Sequence, residues 1–137
     1  MGSCRKLLNT NVASYVINGR YPKVRDQLLE MPMGSIVVSA VTQGELLYGS
    51  ARNGHPTALK KLIDGFLLRV KVLPWDSKAA DVYGNLRARC AASGITLGAL
   101  DMMIAAHAAA TKSTLVTHDF AFSMVPDGLL KLEDWAV

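Results

Sequence analysis

Four polar residues that are far apart in the sequence each follow a predicted strand or open a predicted helix. Asn9 follows the first predicted strand, and Asp119 follows a late one. Glu45 and Asp101 open two of the predicted helices. In an open parallel sheet, ligands bind in the crevice outside the carboxyl ends of the strands. We therefore expect these four side chains to converge at one rim of the sheet.

Oxygen ligands of this kind suit a hard divalent cation, Mg²⁺ or Mn²⁺. Three carboxylates crowded together without a cation repel one another, and a bound metal relieves that repulsion. A metal held in this way can orient a phosphodiester and generate an attacking hydroxide. The four residues therefore predict a metal site that supports hydrolysis.

Each of these residues also has a purely structural interpretation. Thr42-Gln43-Gly44-Glu45 fits a capping box, in which the glutamate satisfies the backbone N–H of Thr42. Asp101 fits a first-turn acid that complements the helix dipole, and Asp119 fits a helix or turn starter. Asn9 fits a helix N-cap. A capping side chain can also face the crevice, so the two interpretations do not exclude each other.

The elements that must position these residues alternate between strands and helices. Strands are predicted at 6–8, 35–39, 71–75, 114–117 and 129–132, and helices from Thr10, at 22–30, 42–52, 59–70, 77–93 and 101–110. The helix over 59–70 carries an apolar stripe that we expect to face the core: Leu59, Leu62, Ile63, Phe66, Leu67 and Val70. Strands separated by helices predict an α/β fold, with a mostly parallel sheet of four to five strands covered by helices on both faces.

Length and composition fit one small domain. The 137 residues, of which 50% are hydrophobic, predict a single domain over 1–137, with residues 1–4 derived from an expression tag or disordered. A formal charge of +4 slightly favours anionic partners such as RNA. Cys4 and Cys90 have no metal-binding or redox spacing and predict free thiols in a reducing compartment. No signal-peptide core or membrane-spanning run is present, which predicts a cytoplasmic protein without membrane contact.

Six segments, taken in this order, resemble the VapC toxins of the PIN-domain class. They are Leu8-Asn9-Thr10-Asn11, Ser39 to Leu46 with Tyr48-Gly49, Tyr83 to Arg87, Gly98 to Ala105, Leu115 to Asp119, and Leu132 to Trp135. Any one of these segments alone is weak, whereas the ordered set is specific and runs over nearly the whole chain.

The resemblance implies a PIN-like three-layer α/β/α fold and a Mg²⁺-dependent endoribonuclease toxin. It further implies a homodimer held inactive by a VapB-like antitoxin, with transfer RNA as a candidate substrate. By position, Asn9, Glu45, Asp101 and Asp119 correspond to the acidic quartet of the family, which serves catalysis and metal binding. Thr117, Thr10 and Arg87 match polar positions that support the site or the substrate, and Arg87 fits a surface helix charge equally well.

Asn9 departs from the family pattern, which has aspartate at this position. Asparagine keeps an acceptor oxygen but removes one negative charge, so we expect weaker metal binding, impaired activity and an intact fold. An engineered change and natural loss of the residue both fit, and the Met1-Gly2-Ser3 start favours engineering. The alternative function is a catalytically silent regulator that binds antitoxin or RNA.

Two other α/β enzyme classes are excluded by residue type. A haloacid-dehalogenase-like phosphatase needs aspartates where this chain has Asn9 and Asn11, and a receiver domain needs a phosphoacceptor aspartate where it has Ser39. His107 lies six positions after Asp101, about 240° further round an ideal helix, so we predict that it is packed or solvated rather than catalytic.

Overall fold

Five short strands form a single parallel sheet in a computed structural model that describes residues 5–32, 34–126 and 128–137. The strands are β1 (Lys6–Leu8), β2 (Ile36–Ser39), β3 (Lys71–Leu73), β4 (Thr114–Val116) and β5 (Lys131–Glu133). Their order is β3-β2-β1-β4-β5, and every neighbouring pair is parallel. The predictions for Met1-Gly2-Ser3 and Cys4 concern residues outside the described ranges.

Helices cover both faces of this sheet. They are α1 (Thr10–Asn18), α2 (Pro22–Glu30), α3 (Ala40–Arg52), α4 (Thr57–Arg69), α5 (Ser77–Ala92) and α6 (Ala99–Ala110), followed by a 3₁₀ helix at Phe120–Met124. Adjacent residues of a strand point to opposite faces. Accordingly, Leu7 packs into an apolar cluster with α5 and α6, whereas Leu8 packs into another with α1, α2 and α4. The predicted three-layer α/β/α fold is confirmed.

The strand order places a topological switch point between β1 and β4. The chain runs outward from β1 through β2 to β3 and then returns to the other side of β1 to form β4 and β5. Connections that leave neighbouring strands in opposite directions open a crevice at their carboxyl ends, where ligands bind. The residues that directly follow β1 and β4 are Asn9 and Thr117.

Several predicted boundaries require correction. Helix α3 begins at Ala40 rather than Thr42, because Ser39 caps it by accepting a hydrogen bond from the Val41 N–H. Helix α6 begins at Ala99, two residues before the predicted start, and β5 lies at Lys131–Glu133 rather than at 129–132. The side chain of Leu62, predicted to face the core, is 54% exposed. None of the helices in the described ranges is long and apolar enough to cross a membrane.

Candidate functional site

Asn9 is held by two hydrogen bonds at the end of β1 and is only 2% exposed. Its Oδ1 accepts from the Val12 N–H at 2.9 Å, which makes Asn9 the N-cap of α1. Its Nδ2 donates to Thr117 Oγ1 at 2.8 Å. In the side-chain amide of Asn9, only the oxygen can accept a hydrogen bond from a backbone N–H. The cap therefore fixes the orientation of this amide. Asn9 therefore presents its NH₂ group, and not its oxygen, towards Thr117.

Thr117 links Asn9 to Asp119. Its buried Oγ1 accepts a second hydrogen bond, from the Asp119 N–H at 3.0 Å. Asp119 in turn caps the 3₁₀ helix, because its Oδ1 accepts from the Ala121 N–H at 2.9 Å. The structural interpretations of Asn9 and Asp119 as caps are thus both confirmed. These caps fix the positions of the two side chains at the switch point.

Glu45 is oriented by Thr10 rather than by a capping box. The Thr10 hydroxyl donates to Glu45 Oε1, and the Thr10 Oγ1 lies 3.0 Å from Thr42 Oγ1. The capping-box interpretation is wrong because Ser39 is the N-cap and Thr42 lies inside α3. Glu45 therefore extends from the second turn of α3 towards the start of α1, immediately after Asn9.

Asp101 lies in the first turn of α6 and faces the other two carboxylates. Burial raises the pKa of the Asp101 carboxyl, and the negative charges of Asp119 and then Glu45 raise it further. These charge effects require Asp119 and Glu45 to lie near Asp101. Asp119 and Glu45 thus both lie close enough to Asp101 for their charges to act on its carboxyl, and the metal site of four residues stays a prediction.

The donor set fits a Mg²⁺ ion that keeps much of its water. Within residues 5–32, 34–126 and 128–137, no three Asp, Glu, His or Cys side chains gather closely enough to enclose an ion by themselves. Mg²⁺ is commonly bound through one or two carboxylates, with water and substrate phosphate completing its octahedron. The half-buried carboxylates of Asp101, Asp119 and Glu45 provide such a set, and a cation would relieve the repulsion at Asp101.

Arg87 lies apart from these contacts. It is exposed on α5, where its guanidinium stacks 5.9 Å from the centre of the Tyr83 ring and donates to the Tyr83 hydroxyl at 2.8 Å. Both residues line a cavity of about 390 Å³ that also reaches Ala99 and Met102, the residues on either side of the Asp101 turn. Arg87 therefore borders a cavity next to the acidic crevice without contacting its carboxylates.

The sequence did not single out a buried contact between Ser39 and His107. The Ser39 Oγ lies 2.8 Å from His107 Nδ1, and both side chains are buried. This contact connects the N-cap of α3, which carries Glu45, to α6, which carries Asp101. Of the two predicted environments for His107, packed or solvated, the structure shows the packed one. Serine is a common N-cap, so the position of Ser39 could have indicated the start of a helix. The apolar residues that begin α3 made this segment look like a continuation of the strand.

Comparison with known proteins first defines the class. Residues 6–128 match the sequence model of the PIN domain. The chain is 34% identical over 131 residues to the tRNA(fMet)-specific endonuclease VapC of Shigella flexneri, covering 95% of this chain and 97% of that protein. It is 32% identical over 132 residues to Ribonuclease VapC2 of Rickettsia felis, covering 94% and 96%.

Solved structures agree with this assignment. VapBC2 from Rickettsia felis, bound to a DNA fragment from its promoter, superposes with a TM-score of 0.85 at 31% identity, covering 95% of this chain and 98% of that one. DNA-bound VapBC from Salmonella typhimurium gives 0.88 at 29% identity, covering 97% and 99%. The chain belongs to the VapC group of the PIN-domain family.

Proposed function

We propose that this chain is the toxin of a toxin–antitoxin pair and a metal-dependent endoribonuclease that hydrolyses phosphodiester bonds of RNA. The observation that carries the proposal is the placement of three carboxylates at the switch point of the sheet: Thr10 orients Glu45, Thr117 holds Asp119, and the charges of both act on Asp101. Relatives named as ribonucleases and endonucleases support the same activity. Transfer RNA is the candidate substrate class, because two relatives are named tRNA(fMet)-specific endonucleases.

Glu45, Asp101 and Asp119 would hold Mg²⁺ or Mn²⁺, which would supply Lewis-acid polarisation of the RNA phosphate and activation of the attacking water. The rest of the site positions these ligands. Thr10 fixes one oxygen of Glu45. Thr117 accepts from the backbone N–H of Asp119, and the cap to Ala121 uses Oδ1 of Asp119, so that Oδ2 has no hydrogen bond to the residues that the structure describes. We expect these contacts to limit the movement of the ligands when the metal and RNA bind.

Asn9 impairs this site for a reason that goes beyond lost charge. Its only oxygen accepts from the Val12 N–H, so a metal ligated by that oxygen would compete with the cap of α1. The group that it presents towards Thr117 is a hydrogen-bond donor, which repels a cation. The same geometry favours the second candidate function, a catalytically silent regulator that binds antitoxin or RNA.

A VapB-like antitoxin is the proposed partner, since solved structures similar to this chain include VapBC complexes. We expect the partner to insert a cation, an arginine, into the acidic crevice, because its guanidinium matches two carboxylate oxygens. Exposed apolar residues of α3 and α4 would extend that interface: Leu47, Tyr48, Leu62 and Leu68. A homodimer of this chain is part of the same proposal.

RNA cleavage tests the proposed activity. The purified chain, its Asn9→Asp form and an Asp101→Asn variant of that form are incubated with total RNA in Mg²⁺, in Mn²⁺ or in EDTA, and the ends produced are mapped. We expect metal-dependent cuts that Asp101→Asn abolishes. Cuts that persist in EDTA and in the Asp101→Asn variant would contradict the proposal. A folded Asn9→Asp protein that cuts nothing would favour the regulator.

A further inference from the structure

A second cavity, of about 310 Å³, opens where β4 and β5 end. We call it the β4–β5 cavity. Its walls are formed by the segments Thr117 to Phe120 and Leu132 to Asp134, together with Ser123. Because Asp119 lines this cavity and also faces Asp101 in the acidic crevice, a molecule bound in the cavity would lie next to the reacting groups.

Phe120 lines this cavity with an aromatic ring that is 77% exposed. Single exposed apolar residues are common on protein surfaces and need no function. This ring, however, is presented by a fixed turn. Asp119 caps the turn, the Ser123 hydroxyl donates to the Phe120 carbonyl at 2.6 Å, and the neighbouring Phe122 is fully buried. The turn therefore holds an aromatic face at the edge of the cavity in advance of binding.

The charges of the cavity disfavour the binding of a phosphate group and favour the binding of a neutral nucleobase. Its walls carry Asp119, Glu133 and Asp134, and none of the residues that line it is lysine or arginine. The Glu133 carboxylate is fixed by Lys6 Nζ at 2.6 Å, and the Asp134 carboxylate by His118 Nδ1 at 2.8 Å. A nucleobase carries no charge, and adenine, guanine and cytosine have exocyclic amino groups that can donate to carboxylates.

A cation lies just outside the cavity, beyond His118. The His118 ring meets the Tyr21 ring edge-to-face at 5.4 Å, and the guanidinium of Arg20 lies 5.5 Å from the centre of the Tyr21 ring. Arg20 is exposed and forms no ion pair with any residue in the described part of the chain. Aromatic surfaces combined with arginine are the features by which proteins bind single-stranded nucleic acid.

We propose that the β4–β5 cavity binds an unpaired nucleobase of the RNA, stacked on Phe120 beside the bond to be cut, while Arg20 contacts a neighbouring phosphate. The proposal rests on the proposed function, since it supplies the substrate contact of the same site. It also specifies the substrate: RNA that is unpaired at this position should be preferred, because a paired base would first have to break its pairing and stacking before it could stack on the ring.

The test measures RNA binding without cleavage. The dissociation constant of a short single-stranded RNA is determined by fluorescence anisotropy in EDTA, and that of a fully paired RNA of equal length serves as reference. Loss of one base–aromatic stack is expected to raise the dissociation constant roughly 5- to 150-fold in Phe120→Ala. Phe120→Trp keeps the aromatic face and should bind as the unchanged chain does. Arg20→Gln should reduce the salt dependence by about one phosphate contact.

Leu29→Ala is the matched control, because Leu29 is 63% exposed near the end of α2, which leads towards the start of β2 and so lies away from the carboxyl ends of the strands, where the cavity opens. It should leave RNA binding unchanged. An unchanged dissociation constant in Phe120→Ala would overturn the proposal, as would equal affinity for single-stranded and paired RNA. A Phe120→Ala variant that loses antitoxin binding and keeps RNA binding would assign the surface to the protein partner instead.

The same experiment separates this inference from the proposed function. If the Asn9→Asp form cuts RNA, and adding Phe120→Ala to it changes neither the Michaelis constant nor the choice of cut, the inference fails and the ribonuclease proposal stands. If the unchanged chain binds no RNA and its Asn9→Asp form cuts none, both fail. Circular dichroism of each variant verifies the fold.

Discussion

Replacing Asn9 by aspartate should change the charge of the site while leaving its hydrogen bonds in place. One carboxylate oxygen can keep the bond from the Val12 N–H. The other would meet Thr117 Oγ1, whose hydroxyl would then donate instead of accepting, and it can still accept from the Asp119 N–H. The perturbation is therefore one added negative charge, at a position that is only 2% exposed in the present chain.

That charge should destabilise the protein without metal and stabilise it with metal. Two like charges about 4–8 Å apart repel by roughly 2–4 kcal/mol at an effective dielectric constant near 20. We expect Asn9→Asp to lower the free energy of unfolding in EDTA by about 2 kcal/mol. A metal ion at a free concentration of a hundred times its dissociation constant should stabilise the folded protein by about 2.7 kcal/mol. Cleavage should rise on the order of a hundredfold or more, because a metal ligand has been restored.

Thermal melts and RNA cleavage, each in Mg²⁺ and in EDTA, measure both effects. Asn18→Asp is the control, because Asn18 Oδ1 also accepts a backbone N–H, from Arg20, but the residue is exposed. This control should show neither the loss of stability in EDTA nor the gain in stability and cleavage in Mg²⁺. Equal cleavage by the unchanged chain and by its Asn9→Asp form, or an equal Mg²⁺ shift in both melts, would refute the argument that the fourth charge is needed.

Three further predictions follow from the same geometry. Asp101→Asn should raise the free energy of unfolding in EDTA by about 0.5–2 kcal/mol, since it removes a buried charge that repels its neighbours; a lower melting temperature would contradict this. Burial lowers the pKa of His107 below its ordinary 6.5, although the Asp76 charge partly opposes this. The unfolded chain then binds more protons, so stability is full above about pH 6.5 and is lost as the pH falls through that value. The free energy of unfolding in urea should differ less between pH 5 and pH 7 in His107→Gln than in the unchanged chain. An equal difference in both proteins would count against the assignment of this pH dependence to His107. Co-expression with the neighbouring gene should give a complex without nuclease activity even in the Asn9→Asp form, and replacing one partner arginine by alanine should restore cleavage; recovery of this chain alone, still active after mixing, would exclude such a partner.

The local signals of the sequence were sufficient for most of the fold. Helix α2 lies at Pro22–Glu30 as predicted, because proline at its first position fixes the start and Met31-Pro32 stops it. The start of α3 was predicted wrongly because the segment Thr42 to Glu45 fits the capping-box pattern. The actual N-cap, Ser39, has no such pattern. Propensity alone cannot decide which of two capping residues is used when tertiary contacts also orient the side chains.

The convergence of the acidic residues could be predicted, but their orientation could not. Parallel strands placed Asn9 and Asp119 at one edge, which the topology alone requires. The contact between Thr10 and Glu45 joins residues 35 positions apart and depends on how α1 packs against α3. The direction of the Asn9 amide depends on Thr117, which lies 108 positions away. Sequence spacing contains no information about either contact.

The pairing of β1 with β4 also has a consequence during synthesis of the protein. Asn9 and Glu45 leave the ribosome early, whereas Thr117 and Asp119 come from the last fifth of the chain. Because chains begin to fold from the amino terminus as they are made, a nascent chain can form β1, β2 and β3 before β4 exists. The crevice can close only after Thr117 and Asp119 have been translated, so a ribosome making this protein would not be exposed to a complete site while the residues before them are being added.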